Sequence, residues 1–227
     1  MQNPWSVLPK KSPYVLAEDS DLVERFNAMA PPNHRFDTSL LPEPFFGSLA
    51  APVLILNLNP GWSPDDAQVH ANRRFASMAR RSMEHALSPY PFLHLQPETT
   101  TPGGRWWQQR TQRLALVVGF DAVAQNISCV QFAPYHSAQY AATTPRLPSQ
   151  EYSFWLVKQA IARGAEIVVM RSVKLWLNAV PELNTYKRLH LGLNPRAPYI
   201  SPGNLGPSFD ILVRRICPSG SAQTLRP

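Results

Sequence analysis

The sequence predicts an α/β protein in which three layers, α/β/α, are built around a central, mostly parallel four-stranded sheet. Two observations predict this class. Four short apolar runs, each typical of a buried strand, recur along the chain, and helical patterns separate them. Strands that alternate with helices favour parallel pairing, with helices on both faces of the sheet.

The first element is a short helix after Asp19 or Ser20, where an apolar face of Leu22, Val23 and Phe26 follows a capping residue. Pro-rich segments on both sides of this helix predict irregular chain, and another Pro-rich connection at 88–105 predicts a long loop that is often functional. The other elements are predicted in this order: strand 53–57, helix within 65–87, helix 106–118, strand 126–131, helix 151–164, strand 165–170, helix 171–180, strand 187–194 and helix 207–216.

The length and composition favour one domain. A chain of 227 residues with 44% apolar residues can bury a sizeable core, so we expect a single domain over 1–227, with 1–44 as a Pro-rich arm and short helix. Neither a signal peptide nor a long apolar span is evident, and we expect a cytoplasmic monomer without membrane contact. Cys129 and Cys217 stand alone in the sequence, which indicates neither a zinc site nor a disulfide.

The charge of the chain favours a polyanionic partner. Lys and Arg number 22 against 15 Asp and Glu, a net charge of +7 with an isoelectric point near 9.7. Residues 1–43 hold four basic and six acidic residues, a net charge of −2, so the excess basic charge lies in the rest of the chain. Net charge alone fits a merely soluble protein equally well.

Polar amides follow three of the predicted strands. Asn57-Leu58-Asn59-Pro60-Gly61 ends the first strand, Gln131 ends the second, where Pro134 to Ser137 follow, and Asn194-Pro195 ends the last. Because ligands of parallel α/β sheets bind outside the carboxyl ends of the strands, these residues predict a pocket with amide groups in its wall.

These strand ends resemble the uracil-DNA glycosylase superfamily, most closely its mismatch-specific uracil/thymine branch. The segment 57–61, Asn-Leu-Asn-Pro-Gly, is similar to the branch motif Gly-Ile-Asn-Pro-Gly, and 71–75, Ala-Asn-Arg-Arg-Phe, is similar to Ala-Asn-Arg-Phe-Trp. Asn194-Pro195 and the residues up to Ser201 stand where the superfamily has its second motif. The resemblance covers 51 to about 216 and implies a uracil-DNA glycosylase-like domain that acts on DNA, single- or double-stranded.

The resemblance also implies a mechanism in which a flipped nucleotide loses its base. Asn59 would position the attacking water, although an amide cannot accept its proton, and Asn194 would donate to a base carbonyl that gains negative charge. The residues expected around the base are Asn57, Pro60, Gly61, Trp62, Gln131 and Tyr135. The stacking aromatic of the family is expected between Gly61 and Ala71, where the chain offers Trp62 and His70.

Contacts with DNA are expected beyond the second motif and from arginines. Ser201, Gly203 and Asn204 could hold a phosphate, and Arg196, Pro198 or Tyr199 could fill the space left by the flipped base. The other candidate phosphate ligands are Arg73, Arg74, Arg80, Arg81, Arg105, Arg110 and Arg113.

Two alternatives stay open at this point. A catalytically inactive member of the same fold would bind nucleic acid or another ligand, and an unrelated α/β hydrolase would act on a small nucleoside or phosphate. The sequence has no P-loop, no Gly-x-Ser-x-Gly and no His-Glu-x-x-His, and its six histidines are scattered. We therefore expect neither a metal nor an organic cofactor.

Overall fold

The computed structural model describes residues 1–86, 88–97, 100–194 and 196–217. Its sheet has five strands: β1 (Phe45–Gly47), β2 (Val53–Asn57), β3 (Ile127–Gln131), β4 (Glu166–Val169) and β5 (Leu189–Leu191). Their spatial order is β1-β3-β2-β4-β5, and β2 to β5 pair in parallel. The α/β class and all four predicted strands are confirmed.

The prediction of a four-stranded sheet is wrong, because β1 adds a fifth strand, antiparallel to β3. This strand is only three residues long and lies among prolines, which is why the sequence predicted irregular chain there. Gly47 makes the pairing possible. A side-chain carbon at this position, where φ is +96°, would lie 2.6 Å from the carbonyl oxygen of Ile127.

The described residues contain nine α-helices. They are α1 (Ser20–Met29), α2 (Asp66–Ala71), α3 (Arg73–Met83), α4 (Pro102–Val118), α5 (Phe120–Asn126), α6 (Gln150–Ala162), α7 (Val173–Ala179), α8 (Pro202–Leu205) and α9 (Ser208–Ile216). None of them is both long enough and apolar enough to cross a lipid bilayer.

Capping residues explain where two helices differ from the sequence prediction. Asn72 has an extended backbone and accepts hydrogen bonds from the N–H groups of Arg74 and Phe75, so it divides the single predicted helix into α2 and α3. Thr101 accepts from the Gly104 N–H, and Pro102 is the first helical residue. The helix α4 therefore begins four residues earlier than predicted, inside the expected loop.

The core lies on both faces of the three central strands. Every residue of β2, β3 and β4 is buried, and successive side chains of a strand point to opposite faces. Helices must therefore cover both faces. One group consists of α4, α5 and α9, which contact one another, while α6 and α7 pack together through Phe154 and Trp176. This packing leaves the carboxyl ends of the strands free to form a cavity.

Candidate functional site

A cavity of about 610 Å³ opens at the carboxyl ends of β2, β3 and β4. The chain leaves β2 towards β3 on one side and leaves β4 towards β5 on the other, so the cavity lies at the point where the strand order reverses. Its size suits a nucleobase or a nucleoside. The residues predicted from sequence that line it are Asn57, Asn59, Pro60, Gly61, Trp62 and Gln131.

Two buried amides in the cavity wall have no partner for their oxygen atoms. Asn57 and Gln131 are register partners at the last positions of β2 and β3, and they are 6% and 2% exposed. Neither Asn57 Oδ1 nor Gln131 Oε1 accepts a hydrogen bond from any described residue. A buried polar atom without a partner is unfavourable, so a ligand that donates hydrogen bonds would stabilise this wall.

The amide of Asn59 joins two turns. Its Nδ2 lies 2.9 Å from the Pro60 carbonyl oxygen, and 3.2 Å and 3.0 Å from the carbonyl oxygen and the hydroxyl of Ser137. The donor side of the amide is therefore used within the protein, which leaves Oδ1 as its free acceptor. An acceptor at the end of a strand is the group that a water molecule needs for orientation.

Tyr135, which is expected to bind a base, lies in the interior of the protein. This side chain is fully buried and is not part of the cavity wall. Its hydroxyl donates to Asp19 Oδ2 at 2.7 Å and accepts the N–H of Leu16 at 3.1 Å, so it holds the N-terminal arm in place. The next residue, His136, lines the cavity instead.

Both candidates for the stacking aromatic, Trp62 and His70, line the cavity, and further aromatic side chains join them. Trp62 is 46% exposed, and its indole N–H donates to Asp37. His70 lines the cavity and packs against Phe75, with 5.0 Å between the ring centroids. Phe75 and Trp106 are lining residues as well, so the cavity does offer aromatic surfaces for a flat ligand.

A buried carboxylate surrounded by three histidines lies beside these groups. His94 Nε2 is 2.8 Å from Glu43 Oε2, whereas His70 Nε2 and His136 Nε2 are each 3.9 Å from Glu43 Oε1. Burial opposes ionisation of Glu43, but the charge and hydrogen bond of His94, followed by the charges of His136 and His70, lower its pKa to about 2. Glu43 is therefore a carboxylate at neutral pH.

Backbone groups of the protein contact the ring nitrogens of two of these histidines, His70 and His136. His70 Nδ1 accepts the N–H of Leu41 at 3.0 Å, so the proton of the neutral ring must sit on Nε2. Burial and the charge of His136 lower the pKa of His70 to about 4. Both ring nitrogens of His136 face carbonyl oxygens, that of Gly61 at 2.7 Å and that of Leu41 at 3.1 Å.

The hydrogen bonds of these histidines can be compared with those that a metal ligand needs. Ligand atoms of Glu43, His70 and His136 lie within 4.8 Å of one another, which is close enough for one ion. A metal-bound histidine offers a lone pair and donates its other N–H, whereas the Nδ1 of His70 accepts a hydrogen bond. Both ring nitrogens of His136 face carbonyl oxygens, so coordination would cost one of these contacts. The cluster therefore fits a charge-neutralising structural role better than a metal centre.

One carboxyl group of the cavity wall has a pKa that is raised. Asp66 is 8% exposed and accepts the Ser63 N–H at 2.6 Å. Burial raises the pKa of Asp66 more than this hydrogen bond and the neighbouring histidines lower it. A carboxylate made more basic in this way can accept a proton from water, which an amide cannot do.

The second sequence motif lies outside the cavity wall. Asn194 is exposed, and its Oδ1 accepts the N–H groups of Arg196 and Ala197. Asn204 holds the same loop, because it accepts the Asn194 N–H and donates to the carbonyl oxygen of Tyr199. Arg196, Tyr199, Ser201 and Gly203 are not lining residues either. Pro195 lies outside the described residues.

Sequence reasoning missed three lining residues with carboxyl or guanidinium side chains: Glu43, Asp66 and Arg171. Glu43 stands in Leu-Leu-Pro-Glu-Pro-Phe-Phe, where a single charge within an apolar run was a usable signal. Arg171 follows a buried strand, and the rule that ligands bind at strand ends could have identified it. Asp66 lay in the stretch predicted as helix, where acidic residues near the start are common.

Comparison of the chain with models of protein families, with curated proteins and with solved structures found no match.

Proposed function

We propose that this protein is a uracil-DNA glycosylase-like hydrolase that cleaves the N-glycosidic bond of a flipped uracil or damaged base in DNA. The observation that carries the proposal is the pair of unpartnered buried oxygens of Asn57 and Gln131 in a base-sized cavity. The free edge of uracil in a nucleotide presents one ring N–H, at N3, between two carbonyl oxygens, and an amide side chain complements both kinds of group. The finer fold assignment, a three-layer uracil-DNA glycosylase-like domain, belongs to the same proposal.

The proposed reaction adds water across the bond between C1′ and the base nitrogen. Asn59 Oδ1 orients the water, because the donor side of this amide is held by Pro60 and Ser137. Asp66 accepts the proton as the water oxygen bonds to C1′, and the electrons of the broken bond leave with the base. The role expected of Asn194 stays a prediction, since this residue lies outside the cavity.

The test is base release from single- and double-stranded oligonucleotides that contain uracil, with alkali cleavage to reveal abasic sites. Asp66→Asn should lower the rate by about 10²- to 10⁴-fold, the usual contribution of a general base. The matched control is Asp65→Asn, because Asp65 is exposed and is not a lining residue. Asn59→Ala should also lose excision, and its melting curve must show that the turn has not unfolded.

Failure of the wild-type protein to release uracil from either substrate would overturn the glycosylase proposal. The alternative is a non-catalytic module of the same fold that binds nucleic acid or another ligand. One observation favours it: the residues of the second motif stabilise their own loop and do not reach the cavity. Binding of the same oligonucleotides without base release would support that alternative.

A further inference from the structure

One arginine lines the cavity, and a second is stacked on an aromatic side chain of the cavity wall. Arg171 follows β4 and is a lining residue. Arg110 belongs to α4, and its guanidinium carbon lies 4.9 Å from the ring centroid of Trp106 and 4.3 Å from that of Tyr199. Trp106 also lines the cavity, so this stacked arrangement connects Arg110 to the same space.

Both guanidinium groups have unused hydrogen-bonding capacity. The Nε atoms of Arg110 and Arg171 are buried, and neither has a hydrogen-bond partner among the described residues. Burial, and then the positive charge of Arg110, lower the pKa of Arg171. No described carboxylate forms an ion pair with either arginine. Two half-buried like charges without a counter-ion are unfavourable, and a bound anion would relieve them.

We propose that Arg110 and Arg171 form a phosphate-binding site beside the cavity, so that the protein recognises a nucleotide by its phosphate as well as by its base. This inference rests on the proposed function, since it assigns the base to the cavity. Planar guanidinium groups match the oxygens of a phosphate better than an ammonium does. The rings of Trp106 and Tyr199 hold Arg110 in one orientation before the ligand arrives.

Three probes separate the contributions of base and phosphate. Deoxyuridine offers the base and its sugar without a phosphate, dUMP adds a phosphate, and an oligonucleotide with a stable abasic-site analogue offers backbone phosphates with no base to excise. Affinities are measured by calorimetry or by fluorescence anisotropy, so that none of them depends on base release. The substitutions are Arg110→Gln and Arg171→Gln. The matched controls are Lys174→Gln on α7 and Lys187→Gln just before β5, because both side chains are exposed.

We expect dUMP to bind at least tenfold more tightly than deoxyuridine, and either site substitution to remove most of that difference. The control substitutions should change affinity by less than twofold. If the abasic oligonucleotide alone depends on the two arginines, the site still stands and its phosphate comes from the DNA backbone. The proposal is overturned if neither phosphate-bearing probe depends on Arg110 and Arg171, or if the controls weaken binding equally. Dependence on the arginines without uracil excision would reject the glycosylase and keep the phosphate site.

Discussion

Asn57 and Gln131 are register partners at the carboxyl ends of neighbouring parallel strands, and the side-chain oxygen of each is buried without a hydrogen-bond partner in the part of the chain that the structure describes. Protein interiors seldom keep such groups, because an unsatisfied buried acceptor is destabilising by about 1–3 kcal/mol. Two of them side by side in one cavity wall indicate a surface shaped for a ligand rather than for stability. The free protein should therefore gain stability when this surface is removed.

Gln131→Met tests whether the Gln131 oxygen lowers the stability of the free protein and contributes to ligand affinity. Methionine has nearly the same shape as glutamine but needs no hydrogen bond, so we expect the free energy of unfolding to rise by about 1 kcal/mol. Affinity for a uracil-containing oligonucleotide should fall at least tenfold. Chemical unfolding and anisotropy measure the two effects.

The matched control is Gln150→Met, which lies elsewhere in the buried interior. The Gln150 side chain donates to the Phe132 carbonyl oxygen and accepts the Leu147 N–H, so its loss should destabilise the protein. Equal destabilisation by both substitutions would mean that the Gln131 oxygen is satisfied in the free protein.

The contrast between β2 and β1 shows what local sequence could predict. Residues 53–56 form an unbroken apolar run, and the amide of Asn57 that follows lies beside Gln131 because parallel strands share one carboxyl edge. By contrast, β1 is three residues long and exists only because Gly47 lets it approach β3. The Glu43 cluster could not be predicted from local sequence either, because its histidines are distant in sequence and come together only when the arm and the turns fold.

Acid should destabilise the protein in two successive pH ranges. The pKa of His70 is about 4 in the folded chain against about 6.5 unfolded, so the unfolded state binds the extra proton as the pH falls from 6.5 to 4. The pKa of Glu43 is about 2, so its contribution is present above about 4.5 and is lost as the pH falls towards 2. Unfolding by urea at a series of pH values measures both ranges.

His70→Asn should reduce the slope of stability against pH between 6.5 and 4. The amide oxygen of asparagine can accept the Leu41 N–H but takes up no proton. The loss of unfolding free energy that His70 causes between these pH values, on the order of 3 kcal/mol, should therefore disappear. Burial lowers the pKa of His85 to about 4 as well, and a smaller slope should therefore remain. The control is His34→Asn, which is outside the cluster. An unchanged slope in His70→Asn would refute this account.

The Glu43 cluster should not take up zinc stoichiometrically at pH 7.5. Coordination through His70 would require its Nδ1 to give up the Leu41 N–H, and His136 would have to give up a bond to Gly61 or Leu41. Metal analysis of the purified protein and calorimetric titration with Zn²⁺ measure this directly. A one-to-one zinc complex that disappears in Glu43→Gln would show that the hydrogen bonds rearrange and that the cluster is a metal centre.

Gly47→Ala should detach or distort the edge strand. The added carbon would lie 2.6 Å from both the Ile127 carbonyl oxygen and the Ser128 Cα, and the positive φ of Gly47 adds further strain. We expect the free energy of unfolding to fall by several kcal/mol, on the scale of severe backbone conflicts. Gly203→Ala is the matched control, because nothing lies within 4 Å of its added carbon.

Since Glu43 lies two residues before β1, Gly47→Ala should also disturb the cavity wall. Hydrogen exchange of β1 and β3 would reveal whether the pairing is lost. Full protection of both strands in Gly47→Ala would show that the sheet can open to accept a side chain there.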